Sequence, residues 1–139
     1  MVIDTSAMVA IALDEPEAAR FERRIASDPV RLMSAATVLE VAMVLETRLG
    51  EAAGRELDLW LQKAEVDIVA VDSDQLDAAR QAWRRFGKGR HSTGLNYGDC
   101  FSYALAFTRQ EPLLFKGDDF SKTDIGRIDP DAAADPPER

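Results

Sequence analysis

The chain has 139 residues, a net charge of −8, and 46% apolar and 30% charged residues, a composition typical of one ordinary globular domain. No stretch approaches the ~20 consecutive apolar residues of a membrane-spanning helix, which argues against a membrane protein. The chain opens directly on a strand-like Met1-Val2-Ile3 without a signal-peptide pattern. Its single cysteine, Cys100, excludes an intramolecular disulfide, which fits a cytoplasmic protein.

Short apolar strands and amphipathic helices alternate along the chain. In chain order we predict a strand at 1–4, helices at 6–13 and 16–27, a strand at 31–34, helices at 37–49 and about 57–64, and a strand at 67–71. A helix at 76–86, a glycine-rich loop at 87–98, a helix at 99–107 and a strand at 112–115 follow. This order predicts an α/β fold with a central, mostly parallel sheet of four to five strands and helices on both faces.

The end of the chain differs from the rest in composition. From Asp129 to Arg139 it contains four acids, one arginine and no large apolar residue. A segment that cannot bury apolar surface is expected to be a flexible acidic tail. We therefore predict a single domain at residues 1–128 and a tail at 129–139.

Acidic side chains lie where the predicted strands give way to helices. Asp4 follows the first strand, and Glu40 lies early in the helix after the second strand. Asp99 begins the helix after the glycine-rich loop, and the pair Asp118-Asp119 follows the last strand. Because the loops at the carboxyl ends of the strands of an open α/β sheet converge on one crevice, these carboxylates can meet there. Such a cluster suits a hard divalent cation such as Mg²⁺ or Mn²⁺.

Each of these acids also has a purely structural interpretation. Asp4 can cap the first helix, and the spacings Thr37-x-x-Glu40 and Asn96-x-x-Asp99 match the capping box, in which two side chains satisfy the first backbone N–H groups of a helix. An acid near a helix N-terminus gains only about 0.3–1 kcal/mol from the helix dipole. Acids at four successive junctions therefore exceed what helix capping requires.

A basic stretch, defined as residues 80–91, contains five cations and no acid. The net charge argues against a general affinity for nucleic acid, but the local field decides whether a phosphate backbone can dock. The candidate nucleic-acid-binding residues are therefore Arg80, Arg84, Arg85, Lys88 and Arg90. The alternative is a solvated helix face.

The aromatic residues of this stretch are better interpreted as core than as a base-stacking surface: Trp83 and Phe86 lie on one predicted apolar stripe. His91 is the only histidine of the chain. A nuclease that uses two histidines as acid and base therefore cannot be built from this chain. A nuclease of this sequence would depend on metal ions for most of its catalysis.

Together, these motifs resemble the PIN-domain family, and within it the VapC-type toxins of bacterial type II toxin–antitoxin pairs. The resemblance is carried by Val2–Ser6, Glu40, Gly94–Cys100 and Leu114–Ile125, and it extends from Met1 to about Ile128. It implies a compact α/β fold and Mg²⁺- or Mn²⁺-dependent endoribonuclease activity. It also implies a cognate antitoxin that binds DNA, and a homodimer or a toxin–antitoxin hetero-oligomer.

The resemblance assigns roles to individual acids. It implies that Asp4, Glu40, Asp99 and Asp119 are the catalytic residues. Asp4 and Asp99 would be metal ligands, whereas Glu40 and Asp119 would be ligands or would orient metal-bound water. Ser6 matches a hydroxyl position that supports the metal site in the family.

The identity of the fourth acid stays open between three positions. Asp119, directly before Phe120, fits the acid-before-Phe pattern of the family best. Asp118 is its neighbour and rival, and Asp124 is a more distant candidate.

Two other functions are compatible with this fold class. A Mg²⁺-binding phospho-receiver domain would need paired acids after the first strand, whereas Asp4 is followed by Thr5 and Ser6. A catalytically silent PIN-like binding protein would not need intact acids at every family position. We therefore expect a toxin that hydrolyses RNA phosphodiester bonds.

Overall fold

The computed structural model describes residues 1–132, and a four-stranded parallel sheet forms the centre of this part of the chain. The strands lie in the order β3-β2-β1-β4, so β1 is flanked by β2 and β4. Val2 pairs with Leu32 on one side and with Leu113 on the other. The strands are β1 (Val2–Ile3), β2 (Leu32–Ser34), β3 (Asp67–Val69) and β4 (Leu113–Leu114). The predicted α/β class and parallel sheet are confirmed.

Within residues 1–132, six helices connect and cover these strands. They are α1 (Thr5–Ala12), α2 (Ala18–Ser27), α3 (Ala35–Leu49), α4 (Ala52–Lys63), α5 (Ser73–Phe86) and α6 (Tyr97–Arg109). Each predicted helix corresponds to one of them, although several ends differ by a few residues. No helix within this part of the chain is both long and apolar enough to cross a membrane.

Successive strand residues point to opposite faces of the sheet, and each face has its own core. Ile3 and Met33 belong to a cluster with residues of α1, α2, α3 and α4. Val2 and Leu32 belong to a second cluster with residues of α5 and α6. The prediction of helices on both faces is therefore confirmed.

Helix α3 begins two residues earlier than predicted. Ser34, the last residue of β2, is its N-cap, and the Ser34 hydroxyl accepts a hydrogen bond from the Ala36 N–H at 3.3 Å. Thr37 consequently lies inside the helix and is buried. The predicted capping box of Thr37 and Glu40 is therefore wrong, because the strand itself ends on a residue that can cap the helix.

Helix α5 buries a different face from the one predicted. Ala78, Ala82 and Phe86 are buried against α6, whereas Trp83 is 48% exposed. The prediction that Trp83 belongs to the core is wrong, and the same prediction for Phe86 is confirmed. The small alanine side chains form the contact with α6 and leave the large indole at its edge.

The predicted acidic tail is only partly described. Asp131 accepts hydrogen bonds from Arg20 at 2.9 and 2.8 Å, which links the start of this segment to α2. Residues 133–139 lie outside the described residues.

Candidate functional site

The four predicted acids lie at or near the carboxyl edge of the sheet. Asp4 directly follows β1, and Asp119 lies in the loop after the neighbouring strand β4. Glu40 lies in α3, which follows β2, and Asp99 lies in the first turn of α6. Asp4 and Asp99 are buried, Glu40 is half-buried, and Asp119 is exposed. The chain reverses its direction of winding between β1 and β4, and such switch points form the binding crevice of open α/β sheets.

Asp4 is held by hydrogen bonds to both of its carboxylate oxygens. Its Oδ2 accepts from the Ser6 N–H at 3.1 Å and from the Ser6 hydroxyl at 2.7 Å. Its Oδ1 accepts from the Ser102 hydroxyl at 2.6 Å. The Ser6 hydroxyl in turn accepts from the Lys116 N–H at 2.9 Å. Asp4 caps α1, as its structural interpretation predicted, and it also joins the ends of β1 and β4 to α6.

Ser102 was not predicted from the sequence. Its side chain is fully buried, and its hydroxyl lies 3.4 Å from that of Thr37 in α3. Ser102 comes three residues after Asp99, so both side chains lie on one face of α6. A hydroxyl one turn after an acid in an otherwise apolar helix was the available signal.

Two features position Glu40: a hydrogen bond from Thr5 and the absence of a side chain at Gly98. The Thr5 hydroxyl donates to Glu40 Oε1 at 2.5 Å. A Cβ atom at Gly98 would lie 2.7 Å from Glu40 Cδ, well inside contact distance. Gly98 therefore leaves the space that the Glu40 carboxylate occupies, directly beside the backbone of Asp99. Gly98 belongs to one of the motifs that carry the family resemblance, but this role was not predicted from the sequence.

Asp99 caps α6 and also belongs to the carboxylate cluster. Its Oδ2 accepts from the Asn96 N–H at 3.0 Å while its own N–H donates to Asn96 Oδ1 at 2.9 Å, so the predicted capping box is present. Burial, together with repulsion by Asp4, Asp119 and Glu40, raises the pKa of Asp99 to about 7, against the lowering effect of the Asn96 hydrogen bond. Asp4, Asp119 and Glu40 are thus close enough to Asp99 to disfavour its charged form.

The candidates for the fourth acid differ in their surroundings. Asp119 is one of the charges that raise the pKa of Asp99. Asp124 instead accepts hydrogen bonds from the Tyr103 hydroxyl at 2.6 Å and from Arg85 at 3.0 Å. Asp118 is exposed. Asp119 is exposed as well, but of the three candidates it is the one that PIN-like placement near Asp99 supports, and its role as the fourth acid stays a prediction.

The donor atoms of the cluster suit a divalent cation that keeps part of its water shell. Within residues 1–132, no three His, Cys, Asp or Glu side chains are close enough together to hold a metal ion directly. The donors are nevertheless hard oxygens, and Lys116, three residues before Asp119, pairs with Glu15 and Glu17. Mg²⁺ uses one or two carboxylates and keeps several waters. These residues therefore fit a cation bound partly through water.

All five cations of the basic stretch are exposed, but they have different partners. Arg85 forms a salt bridge with Asp124 at 3.0 Å. Among the described residues, no acid forms a salt bridge with any of the other four. The structure therefore leaves Arg80, Arg84, Lys88 and Arg90 with charges that a bound anion can neutralise.

Comparisons with known proteins agree with this fold. A family model described as PIN domain matches residues 1–126. Ribonuclease VapC30 of Mycobacterium tuberculosis is 62% identical over 128 residues, which cover 92% of this chain and 98% of that protein. Ribonuclease VapC of Mycolicibacterium smegmatis is 63% identical over 128 residues, covering 92% and 99%.

Two solved structures share the fold at low sequence identity. The crystal structure of Mycobacterium tuberculosis VapC20, a Sarcin-Ricin loop cleaving toxin, has a TM-score of 0.73 at 21% identity and covers 91% of this chain and 97% of its own. A toxin-antitoxin complex from Klebsiella pneumoniae has a TM-score of 0.69 at 15% identity, covering 93% and 96%. At these identities the likeness concerns the fold alone.

Proposed function

The chain belongs to the PIN domain family, and from this premise we propose that it is the toxin of a toxin–antitoxin pair, acting as a Mg²⁺- or Mn²⁺-dependent endoribonuclease. The observation that carries the proposal is the grouping of Asp4, Glu40 and Asp119 around Asp99, whose pKa is raised to about 7 by burial and, to a smaller extent, by these three carboxylates. Relatives at 62–63% identity that bear the name ribonuclease VapC supply the reaction class.

The proposed reaction is hydrolysis of an RNA phosphodiester bond by water. Asp4 and Asp99 would hold the divalent ion, which when bound activates a water molecule and stabilises the leaving 3′-oxygen. Glu40 and Asp119 would orient the water molecules around the ion. Because the nucleophile is water and not the ribose 2′-hydroxyl, the products are a 5′-phosphate and a 3′-hydroxyl.

The neighbouring side chains keep these acids in position. The hydroxyls of Ser6 and Ser102 donate to different oxygens of Asp4 and fix the plane of its carboxylate. Gly98 allows Glu40 to lie beside Asp99. Such supporting contacts commonly change metal affinity or activity about 10- to 100-fold when they are removed.

Ribonuclease activity should depend on specific acids and on a metal ion. With purified protein, total RNA and Mg²⁺ or Mn²⁺, we expect Asp4→Asn and Asp99→Asn to abolish cleavage. Asp119→Asn should reduce cleavage strongly, whereas Asp118→Asn and Asp124→Asn are matched controls that should retain it. A chelator should abolish cleavage by the unaltered protein. Unaltered cleavage by the Asp4 or Asp99 variant would refute the assigned site.

We also propose that an antitoxin binds this domain and supplies an arginine to the acids. A groove of about 180 Å³ lies between α1, α2, α3 and α4, and it has room for an apolar side chain from a helix of such a partner. Apolar residues such as Met8, Leu45 and Leu57 line it, together with the acids Glu22 and Glu56. A guanidinium matches the carboxylate cluster in charge and in bidentate geometry. The arginine would therefore compete with the metal ion.

This competition can be measured. Inhibition should weaken as Mg²⁺ or Mn²⁺ is raised, and replacing the antitoxin arginine with alanine should restore cleavage without ending association. A complex that stays fully inhibited after that change would indicate steric occlusion of RNA instead.

The assembly and the location of the protein follow from the same proposal. We propose a homodimer or a toxin–antitoxin hetero-oligomer, to be distinguished by light scattering with and without the antitoxin. A cytoplasmic location fits an RNA substrate and the free, buried thiol of Cys100.

A further inference from the structure

Thr37 and Ser102 form a buried pair of hydroxyl groups where α3 meets α6. Thr37 is 2% exposed and lies in the first turn of α3, and Ser102 is fully buried in α6. Their oxygen atoms lie 3.4 Å apart, which is a long hydrogen bond between residues 65 positions apart in sequence. Burial of a hydroxyl costs free energy unless a hydrogen bond compensates for it. The pair therefore needs a reason beyond packing.

The hydrogen atoms of this pair can be assigned from the partners of each oxygen. A hydroxyl has one hydrogen atom to donate, and Ser102 donates its own to Asp4 Oδ1 at 2.6 Å. The hydrogen atom between Thr37 and Ser102 therefore belongs to Thr37, and the Ser102 oxygen accepts it. The two hydrogen bonds form one directed chain, which runs from Thr37 through Ser102 to Asp4.

This chain favours the one orientation of the Ser102 hydroxyl that reaches Asp4. A serine inside a helix can instead turn its hydroxyl to the carbonyl oxygen four residues earlier, which for Ser102 belongs to Gly98. The hydrogen bond from Thr37 holds the Ser102 oxygen in place and leaves the Ser102 hydrogen atom for Asp4. Each hydrogen bond of such a chain also polarises the next one, so Thr37 makes Ser102 a stronger donor to Asp4.

The same chain accounts for the spacing Thr37-x-x-Glu40, which is not a capping box in the structure. Residues three apart lie on one face of a helix, so the face of α3 that carries Glu40 to the carboxylate cluster also places Thr37 against Ser102. Asp99 and Ser102 have the same spacing on α6. Each of the two helices therefore contributes one carboxylate and one hydroxyl, three residues apart.

We propose that Thr37 is a positioning residue of the metal site, and that it acts on Asp4 through the hydroxyl of Ser102. The inference rests on the proposed metal-dependent function and adds to it a residue of α3 that touches neither the metal ion nor the RNA. In the competing interpretation, Thr37 only fills space between α3 and α6.

Mg²⁺ binding measured by calorimetry distinguishes these two roles. Thr37→Val replaces the hydroxyl with a methyl group and nearly keeps the shape of the side chain. It should weaken Mg²⁺ binding about 2- to 10-fold, less than the roughly 10- to 100-fold expected when Ser102, a direct partner of Asp4, is replaced with alanine. Thr37→Ser keeps the hydroxyl and should bind Mg²⁺ as the unaltered protein does. Thr47→Val is the matched control, because Thr47 is an exposed threonine of the same helix.

A double variant tests whether Thr37 acts through Ser102. In a protein that already carries Ser102→Ala, Thr37→Val should have no further effect on Mg²⁺ affinity, because the chain to Asp4 is already broken. An equal fold-loss of affinity in both backgrounds would overturn the proposal, since Thr37 would then act on the site by another route.

Urea unfolding in metal-free buffer tests the same chain without the ion. Ser102→Ala leaves the buried Thr37 hydroxyl without its partner, which costs stability. Adding Thr37→Val removes this unpaired hydroxyl and should move the urea midpoint to a higher concentration. The same change in the unaltered protein should move the midpoint much less, because there it also removes a hydrogen bond. If Thr37 only fills space, the midpoint shifts equally in both backgrounds, and the proposal is wrong.

Failure of this inference differs from failure of the proposed function. The inference fails if the unaltered protein binds Mg²⁺ and the Thr37→Val variant binds it equally well. The proposed function, and the inference with it, fails if the unaltered protein neither binds Mg²⁺ or Mn²⁺ nor cleaves RNA in their presence.

Discussion

Replacing Asp99 with asparagine should stabilise the metal-free protein at neutral pH although it removes a proposed metal ligand. Asp99 is buried and repelled by Asp4, Glu40 and Asp119. Asparagine has nearly the same shape and retains a side-chain oxygen that can accept the Asn96 N–H, so the capping box survives. The substitution therefore removes charge with little change in packing.

The size of the effect follows from the pKa of Asp99, which burial and then the neighbouring acids raise from 3.8 to about 7. At about 1.4 kcal/mol per pKa unit, this difference sets an upper limit of about 4 kcal/mol on the increase in the free energy of unfolding of the variant. Screening by water at the partly open site reduces the expected value to about 1–2 kcal/mol. Because the pKa of Asp99 is higher in the folded state than in the unfolded state, protonation of Asp99 favours the native state of the unaltered protein at low pH. This contribution to stability is lost as pH rises from about 4 to about 7.

Urea unfolding of the unaltered protein and the Asp99→Asn variant in metal-free buffer, at intervals from pH 4 to pH 8, measures this difference. The relative stability of the variant should increase with pH and level off above about pH 7. Asp118→Asn, which changes an exposed carboxyl, should give a flat difference. Added Mg²⁺ should stabilise the unaltered protein more than the variant. A stability difference between the two proteins that is constant with pH would refute the reasoning.

Other side chains of the site give further expected outcomes. Gly98→Ala should cost about 1–3 kcal/mol of stability and reduce cleavage, because the new Cβ overlaps with Glu40. Combining Gly98→Ala with Glu40→Ala should restore stability in urea unfolding but not cleavage. If stability is not restored, the new Cβ atom clashes with a group other than Glu40. Ser102→Ala removes a buried hydrogen bond to Asp4 and should cost about 1–2 kcal/mol. It should also weaken Mg²⁺ binding about 10- to 100-fold by calorimetry, whereas the exposed Ser27→Ala should change neither quantity.

The elements of this fold were predictable because their signals are local. Apolar periodicity located the helices, and the carboxyl ends of the strands located Asp4 and Asp119. The start of α3 was misplaced because Ser34 ends a strand and caps a helix at the same residue. The spacing of Thr37 and Glu40 therefore suggested a capping box at the start of the helix, whereas both residues lie inside α3.

The remaining features depend on contacts between distant parts of the chain. Ser102 acts on Asp4, which is 98 residues away in sequence. Its spacing of three residues from Asp99 indicates a shared helix face but not the contact with Asp4. The prediction that Trp83 belongs to the core rests on its helical spacing with Leu76, Ala79 and Phe86, which forms one apolar stripe. Only the packing of α5 against α6 decides that Phe86 is buried and Trp83 exposed.

The central claim is that the carboxylate cluster hydrolyses RNA with a metal ion and water. Its most direct test is to incubate purified protein with end-labelled RNA and Mg²⁺ or Mn²⁺ and to determine the chemical ends of the products. We predict 5′-phosphate and 3′-hydroxyl ends that disappear with EDTA and in the Asp4→Asn variant. Products with a 2′,3′-cyclic phosphate, or equal cleavage in EDTA, would contradict it.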